Sequence, residues 1–88
     1  MDKNLEKHVV RLTLEERSHL LELVLNEKAS LKKITHARIL LKANAGEDGE
    51  RCTDEEIRKS EHISLQTVKR IRRLYVEGGL KRLRLAAS

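Results

Sequence analysis

A set of polar and basic side chains recurs at helical spacing in the last third of the chain: Gln66, Lys69, Arg70 and Arg73. Positions i, i+3, i+4 and i+7 share one side of an α-helix. Arginine and lysine donate to guanine, and glutamine pairs with the adenine edge. The spacing therefore predicts a helix whose outer face contacts base edges in a DNA major groove, and Leu65 at the start of that helix joins the base-facing set.

A second group of hydroxyl and basic side chains is better suited to phosphate oxygens, which set the register of a bound protein rather than its sequence preference. The group lies at the start of the predicted helix, on its flank and in the chain behind it: Ser64, Thr67, Arg72, Lys81, Arg82 and Arg84.

The positive charge of the chain is concentrated in this region. Residues 64–88 hold seven Lys or Arg and one Glu, whereas residues 1–63 hold 12 basic and 13 acidic residues, and together they give the net charge of +5. A polyanion partner, double-stranded DNA, is the economical explanation, because each phosphate contact releases counterions. A solvated basic face without a partner is the alternative.

Other chemistry has little support in the sequence. The four histidines share no i, i+4 spacing on a helix, and Cys52 has no second ligand at a metal-binding interval. The acidic run 54–56 is typical of a helix's first turn, where carboxylates complement the dipole. With no glycine-rich phosphate loop and no nucleophile–base pair, we expect no enzyme activity, no metal, no cofactor and no small-molecule ligand.

Two helices position these side chains. Thr53-x-x-Glu56 is a capping box that starts a helix over 54–61, and Ser64 caps a helix over 65–77 that stops at Gly78. Three intervening residues are too few for antiparallel packing, so the pair is predicted to cross as a helix-turn-helix.

The rest of the chain predicts two more helices, over 14–27 after the capping box Thr13-x-x-Glu16 and over 31–45 after Ser30, with Gly46 ending the second. Residues 8–12 read as an extended lead-in. The expected fold is one all-α, four-helix, homeodomain-like domain over 1–88, with the motif at 53–78 and a short basic tail at 79–88. The leucine-rich stripe of helix 14–27 is interpreted as core, and a homodimer through that helix is the alternative.

Hydropathy and cysteine usage indicate a compartment. The sequence has no apolar run as long as a membrane span and no signal-peptide pattern, and its single cysteine excludes an internal disulfide. We therefore expect a cytoplasmic protein without a membrane partner, associated with the nucleoid.

Four segments occur in an order that resembles one family: Arg11-Leu-Thr-Leu-Glu-Glu-Arg17, His36-Ala-Arg-Ile-Leu-Leu41, Ser64-x-x-Thr67-Val68 and Glu77-Gly-Gly-Leu80. They are similar to the N-terminal DNA-binding region of insertion-sequence transposases in the mariner superfamily, the branch numbered six-thirty. The likeness covers about residues 9–83.

This resemblance implies sequence-specific binding to the terminal inverted repeats of a bacterial transposon. The family's catalytic domain would follow Leu83, so we expect this chain to bind DNA for transposition and recombination without cutting it. The sequence departs from the family pattern at Arg58, Glu61 and His62, and His62 needs a positive φ if the usual turn is kept. A free-standing helix-turn-helix regulator and a transposase remnant acting as a protein-interaction module are the alternatives.

Overall fold

The computed structural model describes residues 8–86, and within that range it contains four α-helices and no strand. The helices are α1 (Leu14–Val24), α2 (Leu31–Ala43), α3 (Asp54–Glu61) and α4 (Leu65–Arg82). The all-α prediction is confirmed for these residues. Residues 1–7 and 87–88 of the predicted domain lie outside the described range.

All four helices begin where the sequence places them, because each N-cap side chain accepts a hydrogen bond from its own first turn. At α3 the Thr53 hydroxyl accepts from the Glu56 N–H at 3.2 Å, and the Glu56 carboxylate accepts from the Thr53 N–H at 2.8 Å. The same reciprocal box starts α1, and single serine caps start the other two; the remaining caps are Thr13, Ser30 and Ser64.

The predicted end of the first helix at residue 27 is wrong, since α1 ends at Val24. Leu25 is the C-cap, and the Asn26 side chain accepts from the Lys28 N–H at 2.9 Å while its carbonyl accepts from Ala29. Asparagine offers the backbone a local turn in place of the next helical hydrogen bonds. That turn stops α1 and redirects the chain into α2.

The predicted end of the second helix at residue 45 is also wrong, since α2 ends at Ala43 and Asn44 leaves the helical conformation. The Asn44 amide oxygen accepts from the N–H groups of Leu12 at 3.0 Å and Gly46 at 2.8 Å. The Ala45 N–H donates to the Val10 carbonyl at 2.8 Å. The lead-in segment, residues 8–12, thus competes for the groups that would continue the helix.

Gly79 interrupts α4 at the point where the sequence predicts its end. Its φ of 71° and ψ of −167° are non-helical, and residues 80–82 make one further turn. Such a conformation is accessible to glycine at little cost because it lacks a Cβ. The break turns the tail back toward the core, where Leu80 and Leu83 are buried.

Helix α2 is the centre of the domain and packs against each of the other three helices. It buries Ala37, Ile39, Leu40 and Ala43, because neighbouring elements cover a broad arc of its surface. The other buried apolar side chains are Val10, Leu12, Leu20, Ile57, Val68, Ile71, Leu80, Leu83 and Leu85. Of the helices described, not one has both the length and the apolar content needed to cross a membrane.

Candidate nucleic-acid interface

The outer side of α4 carries the side chains predicted to face DNA bases. We define the α4 face as Gln66, Lys69, Arg70 and Arg73, all of which are exposed, while Leu65 beside it is half-buried. The opposite side of the helix is fixed by Val68 and Ile71, which have no exposed surface. Among the described residues, no ion pair involves the three basic side chains of the α4 face.

The N-terminus of α4 is held by its own hydroxyls. The Ser64 hydroxyl accepts from the Thr67 N–H at 3.1 Å, and the two side-chain oxygens lie 2.8 Å apart. The first turn contains no acidic residue. The positive end of the helix dipole therefore meets no carboxylate of its own first turn, which is favourable for a neighbouring anion.

Arg72 lies away from the α4 face, with its side chain 16% exposed. Its guanidinium pairs with the Asp54 carboxylate and donates to the His8 carbonyl through Nε at 3.0 Å and Nη2 at 2.7 Å. These contacts fasten the extended lead-in to α3 and α4. Because its donors are engaged within the fold, Arg72 is the member of the predicted phosphate set least available to an external ligand.

The basic tail lies against α1 rather than along the α4 face. Leu83 and Leu85 are buried, and the His19 Nε2–H donates to the Leu85 carbonyl at 2.6 Å. Lys81 lines a shallow depression together with Glu15 and Glu16 of the first turn of α1. Lys81, Arg82 and Arg84, the members of the predicted phosphate set in the tail, are exposed and follow the break in α4 at Gly79.

The three residues at which the sequence departs from the pattern of the resembled family lie in the second half of α3 and at its C-cap. His62 adopts φ 57° and ψ 47°, so the positive φ expected from the resemblance is present. The Glu61 side chain is only 7% exposed and pairs with Arg38 of α2 at 3.3 Å, so a charged side chain closes the α2–α3 contact. Arg58 pairs with Glu55 on the surface, and this hydrogen bond lowers the pKa of that carboxyl.

The first turn of α2 carries two exposed basic side chains, Lys32 and Lys33, that the helical spacing of α4 does not reveal. His36, one turn after Lys32, is half-buried, and its pKa is lowered by burial first and then by the positive charges of Lys32 and Arg70. His36 therefore lies within the field of a basic side chain from each of the two packed helices, α2 and α4. The helical phase of Lys32 relative to the buried residues of α2 is the sequence signal that could have found that lysine.

The other groups that could carry chemistry are metal-ligating side chains, the Cys52 thiol and the Tyr75 phenol. The described residues contain no group of three or more histidine, cysteine or acidic side chains arranged to hold a metal ion. Burial and the nearby Glu50 raise the pKa of the Cys52 thiol, which disfavours the nucleophilic thiolate. Burial and Glu16 raise the pKa of Tyr75, whose hydroxyl lies 2.6 Å from the Glu16 carboxylate, so the phenol stays neutral.

Comparisons of the chain with protein-family models, with curated proteins and with solved structures found no match. The geometry and charge of the α4 face are the features of the molecule that bear on its function.

Proposed function

We propose that this protein binds double-stranded DNA, with α3 and α4 acting as a homeodomain-like helix-turn-helix and α4 entering the major groove. The observation that carries the proposal is the α4 face. Its glutamine and three basic side chains are exposed on one side of a helix whose opposite side buries Val68 and Ile71. A major groove admits an α-helix, and arginine, lysine and glutamine are the side chains that most often read its edges.

The functional groups divide by role. Gln66, close to the start of α4, is placed to contact an adenine edge, and Arg70 or Arg73 a guanine. Ser64 and Thr67 at the N-terminus suit phosphate oxygens, which favour the positive end of a helix dipole. The chain itself does no chemistry in this proposal.

The likeness to transposases supports a more specific target. If the chain is the DNA-binding region of such an enzyme, it recognises the terminal inverted repeats of an insertion sequence in the bacterial nucleoid. A free-standing regulator would use the same α4 face at an operator. Selection of bound sequences from a random duplex library separates the two, because only the first predicts recovery of repeats from the ends of a mobile element.

A gel shift with random-sequence duplex DNA tests the proposal. The triple variant Lys69→Ala, Arg70→Ala, Arg73→Ala should lose duplex binding at moderate salt while retaining the parental melting temperature, because all three side chains lie outside the core. A charge-matched control, Arg11→Ala, Lys28→Ala, Lys59→Ala, removes three exposed basic side chains from other elements and should retain most of the binding. Parental affinity in the first variant contradicts the proposal.

One observation favours a second candidate, a protein-interaction module that pairs through α1. Leu14, Leu21 and Leu25 are 54%, 40% and 82% exposed, and their i, i+7, i+11 spacing aligns them along one side of α1 and its C-cap. Exposed apolar stripes mark partner surfaces. This candidate takes precedence if the triple variant of the α4 face binds DNA as well as the parent.

A further inference from the structure

The first turn of α2 lies beyond the end of the core. Its lysines are nevertheless on the same side of the helix as the buried residues of α2. Lys32 is seven residues before the fully buried Ile39, and Lys33 is seven before Leu40, so each lysine shares a helical stripe with a core residue. Both lysines are nevertheless exposed. Their side chains therefore project beyond the rim of the packed helices rather than from the outward side of α2.

This rim belongs to the helix that packs on α4. The half-buried His36 of α2 lies within the field of both Lys32, one turn before it, and Arg70 of the α4 face. No acidic residue occupies the first turn of α2, and none of the ion pairs among the described residues uses these lysines or Arg70. A cluster of like charges without internal counterions suits a polyanion, whose binding relieves their mutual repulsion.

We infer that the first turn of α2 is a second DNA-binding surface, on which Lys32 and Lys33 bind backbone phosphates beside the groove that α4 occupies. The inference rests on the proposed function, because it takes duplex DNA as the ligand of α4. Phosphate contacts of this kind fix the orientation of a recognition helix without reading sequence.

The other surfaces next to α4 are less suited to this role. The first turn of α3 contains Asp54, Glu55 and Glu56, whose carboxylates repel phosphate. Lys81 of the tail lies beside Glu15 and Glu16 and shares their field. Of these three surfaces, the first turn of α2 is the one that presents basic side chains with no carboxylate in the same turn.

The salt dependence of duplex binding tests this surface. We compare the parent with Lys32→Gln, Lys33→Gln and with the charge-matched pair Arg11→Gln, Lys59→Gln, which are exposed and lie outside α2 and α4, by fluorescence anisotropy, using a labelled random-sequence duplex over a series of salt concentrations. Each lost phosphate contact lowers the slope of log affinity against log salt by about 0.9 in magnitude. The α2 pair should therefore flatten the slope by about 1.8, and the control pair by less than about 0.5.

Three results would overturn the inference, and they differ in what they say about the proposed function. A parental slope in the α2 pair, with the parent binding and the α4 triple variant not binding, overturns this inference and leaves the proposed function standing. Equal flattening by both pairs overturns it too, because net charge alone then explains the effect. Absence of duplex binding by the parent overturns both. The lysines are exposed, so melting temperatures should match, and the single variants Lys32→Gln and Lys33→Gln check additivity at about 0.9 each.

Discussion

Two adjacent arginines of α4 occupy opposite environments, and their difference separates stability from binding. Arg72 is 16% exposed and holds Asp54 and the His8 carbonyl, whereas Arg73 is exposed on the α4 face. A part-buried guanidinium that leaves its partners unsatisfied when removed contributes to folding, while an exposed one does not.

We predict that Arg72→Gln lowers the free energy of unfolding by about 1–3 kcal/mol, because the Asp54 carboxylate and the His8 carbonyl lose their donors. The neighbouring Arg73→Gln should change it by about 0.5 kcal/mol or less. Urea unfolding of both variants checks the pair, and duplex affinity should fall for Arg73→Gln alone. Equal stability of the two variants would show that the Arg72 contacts contribute nothing.

At the scale of the helix, the orientation of α4 decides which side chains are available to a ligand. Val68 has no exposed surface, and Val76, eight residues later, is 43% exposed. Both positions are helical, so the same substitution at each changes helix propensity equally and isolates the contribution of burial.

We predict that Val68→Ala costs about 1–4 kcal/mol of stability, because it removes two buried methyl groups and leaves a cavity against the core. Val76→Ala should cost about 0.5 kcal/mol or less. Thermal melting of the two variants measures the difference. If Val76→Ala proves the more damaging, α4 is rotated and the α4 face is not the free side of the helix.

At the scale of the whole molecule, α2 is the helix that joins the other three into one core. It supplies Ala37, Ile39, Leu40 and Ala43 to the core, and its packing with α3 and α4 covers the inner side of the proposed DNA-binding pair. Short helices that lack such cover are marginal in water.

We therefore predict that a peptide of residues 53–86, which holds α3 and α4 without α2, is mostly unfolded, because Val68 and Ile71 lose the apolar surface that buries them. Circular dichroism of this peptide should show far less helix per residue than the full chain, and no cooperative melt. A peptide with native helix content and a sharp transition would show instead that the pair is an independent unit.

The sequence alone determined the features that depend on neighbours a few positions away. The start of every helix follows from a hydroxyl that bonds its own first turn, as Thr53 does with the Glu56 N–H. The composition of the α4 face follows from helical spacing, and the resemblance to a family turn implied the positive φ that His62 adopts. These interactions are local, so the residues that make them lie within a few positions of one another in the sequence.

Only the tertiary structure decided the features that depend on distant partners. Asn44 stops α2 by bonding Leu12, 32 residues away, and Arg72 binds the His8 carbonyl, 64 residues away. The tail lies on α1 because Leu83 and Leu85 are buried and His19 holds the Leu85 carbonyl. Arg70 lies close enough to His36 of α2 to act on its pKa because α2 packs on α4. Which helix covers which is set by the summed burial of apolar surface, and no spacing within a single helix encodes it.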